Sequence, residues 1–159
     1  MKLLATILLA LMLAACASTP GFDTSGVNPD LTPRRAAAQQ VEGEQVVWGG
    51  VIVNSTNLED VTRLEILAYP LARNQRPQTD QRALGRFIGL RSGYIETADY
   101  APGRQITVTG VLEGAAEGQV GQSRYTYPVV ELEQLYLWPE ERVRREPRVN
   151  FGVGIMIGN

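Results

Sequence analysis

From Val46 onward, short apolar runs alternate with polar or Gly/Pro stretches along the chain. The runs are 46–53, 63–71, 85–90, 105–113, 120–127 and 129–138, each rich in Val, Ile, Leu, Thr, Tyr or Trp. Runs of this length and composition predict β-strands, and six at this spacing predict a sandwich or a small barrel. The period of two is clearest from Gln105 to Glu113, where Ile106, Val108 and Gly110 point one way and Thr107 and Thr109 the other. It recurs in 64–69 and 131–135. One face of the sheet is therefore expected in a core and the other in water.

Glycines and prolines refine this picture. Gly49-Gly50 interrupts the first run at its middle, where glycine lets a strand bend or bulge and so pair with both halves of a small barrel. A bent first strand favours an all-β fold built as a small closed or partly open barrel of OB type. The polar stretch 74–82 with Pro77, and 92–104 with Pro102-Gly103, are read as long excursions between strands. Asn54-Ser55-Thr56 reads as a turn, and 114–118 with Gly121 as a hairpin connection.

Upstream of the strands the pattern changes. Thr32-Pro33 reads as an N-cap with proline at the first helical position, opening a short helix through Gln40 that ends near Gly43. Residues 17–30, rich in Ser, Thr, Gly, Pro and Asp without periodicity, read as a flexible tether with a reach of about 20 Å. The start is different again: Met1-Lys2 precedes the apolar run 3–13, which is shorter than the roughly 20 residues of a spanning helix and fits an export signal. Leu13-Ala14-Ala15-Cys16 looks like a bacterial lipobox, in which cleavage after Ala15 leaves Cys16 as the acylated first residue, held in outer-membrane lipid. Stable attachment needs two or more acyl chains, which a triacylated cysteine exceeds. Ala17 after it resembles the sorting pattern for the outer membrane. At the other end a charged, proline-bounded linker leads to 149–159, where Val149, Phe151, Val153, Ile155 and Ile157 alternate with Asn150, Gly152, Gly154, Met156 and Gly158. This ribbon needs a cover for its apolar edge, and self-association or capture of an envelope protein is expected of it. The expected organisation is thus a signal peptide at 1–15, a lipidated tether with a short helix at 16–45, the barrel at 46–138, and a linker with a Gly-rich apolar tail at 139–159.

Composition removes much chemistry. The 159 residues contain no histidine and one cysteine, so a His-containing triad, an imidazole metal site and an internal disulfide are excluded, and no cofactor is expected. Lys2 is the only lysine; beyond residue 15 the chain holds 14 arginines against 17 carboxylates. An acidic chain lacks the electrostatic footprint of a nucleic-acid binder. Glu65, Glu96, Asp99, Glu131 and Glu133 are the carboxylates available for acid–base work, but no spacing selects a pair of them as glycoside hydrolysis requires. The more informative group is Arg86, Arg104 and Arg124 interleaved with Tyr100, Tyr125 and Tyr127. On one barrel face it would hold an acidic glycan or a lipid phosphate; the alternative is that the tyrosines pack the barrel and the arginines pair with carboxylates.

Several of these segments together resemble one family. Trp48-Gly49-Gly50-Val51-Ile52, the stretch 62–71, Gly85-Arg86-Phe87, the stretch 100–110, Tyr125-Thr126-Tyr127-Pro128-Val129 and Leu137-Trp138 are similar, in this order and behind a lipobox, to the motifs of the Slp family of bacterial outer-membrane lipoproteins. A departure is Asn74-Gln75-Arg76-Pro77, where the family tends to have a glycine turn. The resemblance implies a starvation- or stress-associated envelope lipoprotein of Gram-negative bacteria, not a known enzyme; together with the lipobox and the missing catalytic sets it leads to the expectation of a non-enzymatic protein on the periplasmic face of the outer membrane that binds an envelope component or a protein partner. A hydrolase of peptidoglycan or lipid working through unassigned carboxylates is the competing reading.

Overall fold

A computed structural model of the chain describes residues 21–140. The export signal, Cys16, the end of the charged linker and the apolar tail lie outside these residues. A short helix α1, Pro33–Gln39, precedes five strands: β1 Glu42–Asn57, β2 Val61–Tyr69, β3 Gly85–Ser92, β4 Gln105–Val120 and β5 Ser123–Leu137. Their order around the sheet is β1-β2-β3-β5-β4, with β4 returning to β1, so the sheet closes in a ring. Every pairing is antiparallel except β3 with β5, which run parallel through Ile88–Val129 to Leu90–Glu131. This is the small closed barrel of OB type expected from the bent first strand.

Strand β1 makes closure possible. Its first part, from Glu42, pairs with β4 and its second, to Asn57, with β2; Gly49, Gly50 and Val51 pair with both. A Cβ on Gly50 would stand 2.0 Å from the Leu67 carbonyl oxygen, so two backbones meet there closer than any side chain permits. Gly50 is not in the left-handed region, and its requirement is space. Gly110 on β4 repeats the device, with the Glu131 carbonyl oxygen 2.0 Å from the position of its missing Cβ. Inside the ring, Ile52, Leu64, Ile66, Phe87, Ile106, Val108 and Val130 are at most 1% exposed. The strict alternation of β2, buried at every second residue, aims Thr62, Leu64, Ile66 and Ala68 inward.

Three expectations about the strands are corrected. Asn54-Ser55-Thr56, expected as a turn, lies within β1 and pairs with Arg63 to Glu65 of β2. From Ser123 onward the run expected at 120–127 is continuous with that at 129–138 in the single strand β5, so the ring has five strands and not six. The segment 114–118 is not a hairpin connection, because β4 continues through it and turns only at Gly121-Gln122, between the paired Val120 and Ser123. Gly114, at φ 105°, serves a bulge: Leu112 faces Val130 but Ala115 faces Pro128, leaving one extra residue on β4. A bulge tolerates both a left-handed glycine and a proline opposite it, which is why neither ends its strand.

The segment before the helix also differs from the free tether expected through Asp30. Phe22 is 8% and Leu31 6% exposed, so this stretch is a strap lying on the barrel. Thr32 caps α1 as expected, its hydroxyl accepting from Arg35 N, and Pro33 opens the helix. The helix ends at Gln40 in the left-handed conformation; Gly43, expected as its terminator, lies instead in β1, at φ 75°.

A cleft between the strap and the barrel

The strap is fixed at two points. At one, the Gln75 side chain brackets the backbone of Phe22, with Oε1 accepting from Phe22 N and Nε2 donating to Phe22 O, both at 2.8 Å. At the other, Trp48 Nε1 donates to the Leu31 carbonyl at 2.8 Å, while the indole stands edge-on to Phe87 with ring centroids 5.2 Å apart. Between these points the strap stands off the barrel and leaves a cleft of about 680 Å³. Val27 and Leu31 form its strap side, and Val47, Trp48, Leu71 and Leu84 its barrel side. This volume and apolar lining fall in the range of small-molecule sites. Asp30 is the one carboxylate among the lining residues.

A second hollow of about 280 Å³ adjoins the first, sharing Thr32, Arg35 and Leu84 with it. Arg34, Arg35 and Arg82 line it, all three exposed. Arg35 donates to the Asp30 carbonyl at 2.9 Å, and among the described residues none of the three forms an ion pair. The pattern of strands does not reveal this site, because its wall is made by residues 24–33 folding back on β1 and the end of β2. Phe22, a single aromatic residue in a polar stretch, was the signal that this stretch docks.

The expected arginine–tyrosine face is divided by the structure into separate groups. Arg86 Nη1 meets Glu65 Oε1 at 2.7 Å, Arg86 N donates to the Tyr125 hydroxyl at 2.8 Å, and the Tyr127 hydroxyl donates to the same Glu65 oxygen at 3.1 Å. The Tyr125 and Tyr127 rings lie 4.7 Å apart. Burial first, and then the charge of Glu65, raise the Tyr127 phenol above its ordinary value, against the opposing effect of Arg86 and Arg63. Arg124 is exposed on β5 beside the β4–β5 turn. Arg104 belongs elsewhere: it donates to the carbonyls of Asp99 and Trp138 at 2.9 and 3.3 Å, and its Nε lies 3.5 Å from Glu140. Tyr100, packed at the edge of the core, accepts at its carbonyl from the Ser55 hydroxyl, and burial raises its phenol also.

The remaining carboxylates are engaged or exposed. Gln45 donates to Glu133 at 2.8 Å, and Tyr94 to Glu96 at 3.1 Å. Glu113 and Glu131 stand together at the β4–β5 bulge, and the hydrogen bond between them, followed by their mutual repulsion, raises the Glu113 carboxyl. Among the described residues no group of three His, Cys, Asp or Glu side chains could hold a metal ion.

The ring of five strands with one parallel closure defines a small OB-type barrel, here with a strap across its β1–β2 side. The outer membrane lipoprotein Slp family matches residues 13–154, and the chain belongs to that family. It is 31% identical to the uncharacterized lipoprotein YeaY of Escherichia coli K12 over 132 residues, 81% of this chain and 68% of that one. It is 26% identical to the outer membrane protein Slp of the same organism, over 82% of this chain and 71% of that one. An uncharacterized protein of Haemophilus influenzae is 37% identical over 57% of this chain, a match that spans about half of the relative, 49%. Among solved structures, a mitochondrial single-stranded DNA binding protein of S. cerevisiae is similar at a TM-score of 0.40 and 12% identity, covering 64% of this chain and 100% of that one.

Proposed function

We propose that the chain is a non-enzymatic binding module, lipid-tethered through Cys16 on the periplasmic face of the outer membrane, that takes an envelope component into the cleft between strap and barrel and serves envelope integrity under stress or starvation. The observation that carries this reading is the cleft itself, about 680 Å³ with a predominantly apolar lining. Its position supports the reading as well. Phe22 is docked only six residues after Cys16, and six residues span at most about 20 Å. A barrel tethered so closely holds the cleft near the bilayer surface. The hydrolase reading finds no support at the cleft, where a lone Asp30 lacks the second carboxylate that glycoside hydrolysis needs.

Two measurements test the proposal. A neutral apolar fluorescent probe, N-phenyl-1-naphthylamine, is expected to bind the unlipidated chain from Ala17 at one site, and Val27→Phe, which fills the cleft from the strap side, to abolish that binding. Absence of saturable binding overturns the cleft as a ligand site. In cells, Cys16→Ala is expected to release the protein into the soluble periplasmic fraction; membrane association that survives an alkaline wash would refute the tether.

A further inference from the structure

We infer that the cleft takes an acidic amphiphile, with its hydrocarbon chain against Val27, Trp48 and Leu71 and its phosphate or carboxylate head group on Arg34, Arg35 and Arg82. This rests on the cleft being a ligand site and names the ligand's chemical class. The apolar cleft and the arginine-lined hollow are adjacent, since both are lined by Thr32, Arg35 and Leu84. A molecule with an apolar and an anionic end is the class of ligand that matches such a pair of neighbouring sites.

The charge pattern is the second observation. Among the described residues Arg86 pairs with Glu65 and Arg104 with Glu140, whereas Arg34, Arg35 and Arg82 share one hollow. Three arginines gathered at one hollow without an ion pair among the described residues repel one another, and an anion relieves that repulsion. Guanidinium groups bind carboxylate and phosphate through paired hydrogen bonds, and these are stronger than neutral ones. Asp30, the only carboxylate lining either hollow, sits on the strap and offers its carbonyl to Arg35. A purely apolar ligand would leave the three guanidinium groups unused, and a free inorganic anion would leave the cleft unfilled.

The test is isothermal titration of the unlipidated chain from Ala17 with monomeric dodecyl phosphate, dodecanoate, dodecanol and inorganic phosphate. Dodecyl phosphate or dodecanoate is expected to bind at least about tenfold more tightly than dodecanol, the equivalent of one charge-assisted hydrogen bond. Preference for the phosphate identifies a phospholipid-like source, and preference for the carboxylate a fatty acid. Replacing Arg34 and Arg82 by Gln is expected to remove that advantage while leaving dodecanol binding unchanged, and Lys at both positions to restore most of it. Both side chains are exposed, and Arg82→Gln alone, expected to give a partial loss, provides the check if the double variant melts early. Equal affinity for dodecanol and the acidic probes, or unaltered affinity in the Gln variants, overturns the acidic ligand while leaving the cleft as a binding site. If no alkyl probe binds, both readings fall.

Discussion

Gln75 reaches across from the β2–β3 excursion and makes both a donor and an acceptor bond, each 2.8 Å long, to the backbone of Phe22, 53 residues earlier in the chain. Gln75 does this from the left-handed conformation, at φ 64°, where a residue with a Cβ is strained by about 1–3 kcal/mol. Its position therefore trades backbone ease for a clamp on the strap. Gln75→Ala is expected to keep the strain and lose both bonds, destabilising by about 1–3 kcal/mol. Gln75→Gly is expected to lose the bonds but relax the turn and so to destabilise less. Hydrogen exchange at the Phe22 amide should accelerate in both variants; unchanged protection would show that Gln75 does not hold the strap.

Gly50 is expected to be the most sensitive position of the bent strand. Any Cβ there meets the Leu67 carbonyl oxygen at 2.0 Å, which neither backbone can yield without breaking the pairing of β1 with β2. Gly50→Ala should cost more than about 3 kcal/mol, against about 1 kcal/mol for Val51→Ala at a half-buried neighbour. Denaturant midpoints compare the two, and similar small shifts would mean that the backbones do not meet there.

Arg86 neutralises Glu65, whose side chain is only 14% exposed, while Arg86 itself is 25% exposed. Arg86→Leu leaves the carboxylate with only the Tyr127 hydroxyl and is expected to destabilise by about 1–2 kcal/mol, less than a fully buried pair because solvent screens it. Tyr127 adds an alkaline signature. Its folded-state pKa is raised, so the stability it confers is present below its unfolded value near 10 and is lost as pH rises through the folded value. Tyr127→Phe should remove that loss above pH 10, and thermal melts across pH 8–11 would reveal it.

Glu113 should behave in the same sense at acid pH. Its carboxyl is raised above 4.5 by Glu131, so the folded chain holds this proton more tightly than the unfolded one. The resulting stability is complete below 4.5 and is lost as pH rises through the raised value, leaving two repelling carboxylates at neutral pH. Glu113→Gln is expected to melt slightly higher than the parent at pH 7, with the gap closing towards pH 4 and shrinking in high salt. A gap independent of pH and salt would exclude repulsion as its cause.

Local physics made much of this protein legible in one dimension. Alternation of apolar and polar residues is a property of each strand alone, so the β class and the inward set of β2 follow from it, but the wet face expected at Thr107 and Thr109 of β4 does not: they are 0% and 6% exposed, covered by Gln75 and Trp138 and by Gln45. Gly49-Gly50 announced the bend that lets one strand serve both sides of a ring, and Thr32-Pro33 announced the start of α1. What only the tertiary structure decided depends on partners distant in the chain. Gly114 and Pro128 look like strand breakers until one bulge brings both together, where glycine supplies the positive φ and Pro128, opposite Ala115, is tolerated without an N–H. Arg86 and Arg104 look alike in sequence, yet one is taken up by Glu65 and the other by the end of β5. The polar composition of residues 21–31 reads as a tether because its few apolar side chains have no visible partner. Burial of Phe22 and Leu31 against residues many positions away turns that stretch into a strap, and the cleft exists only because of it.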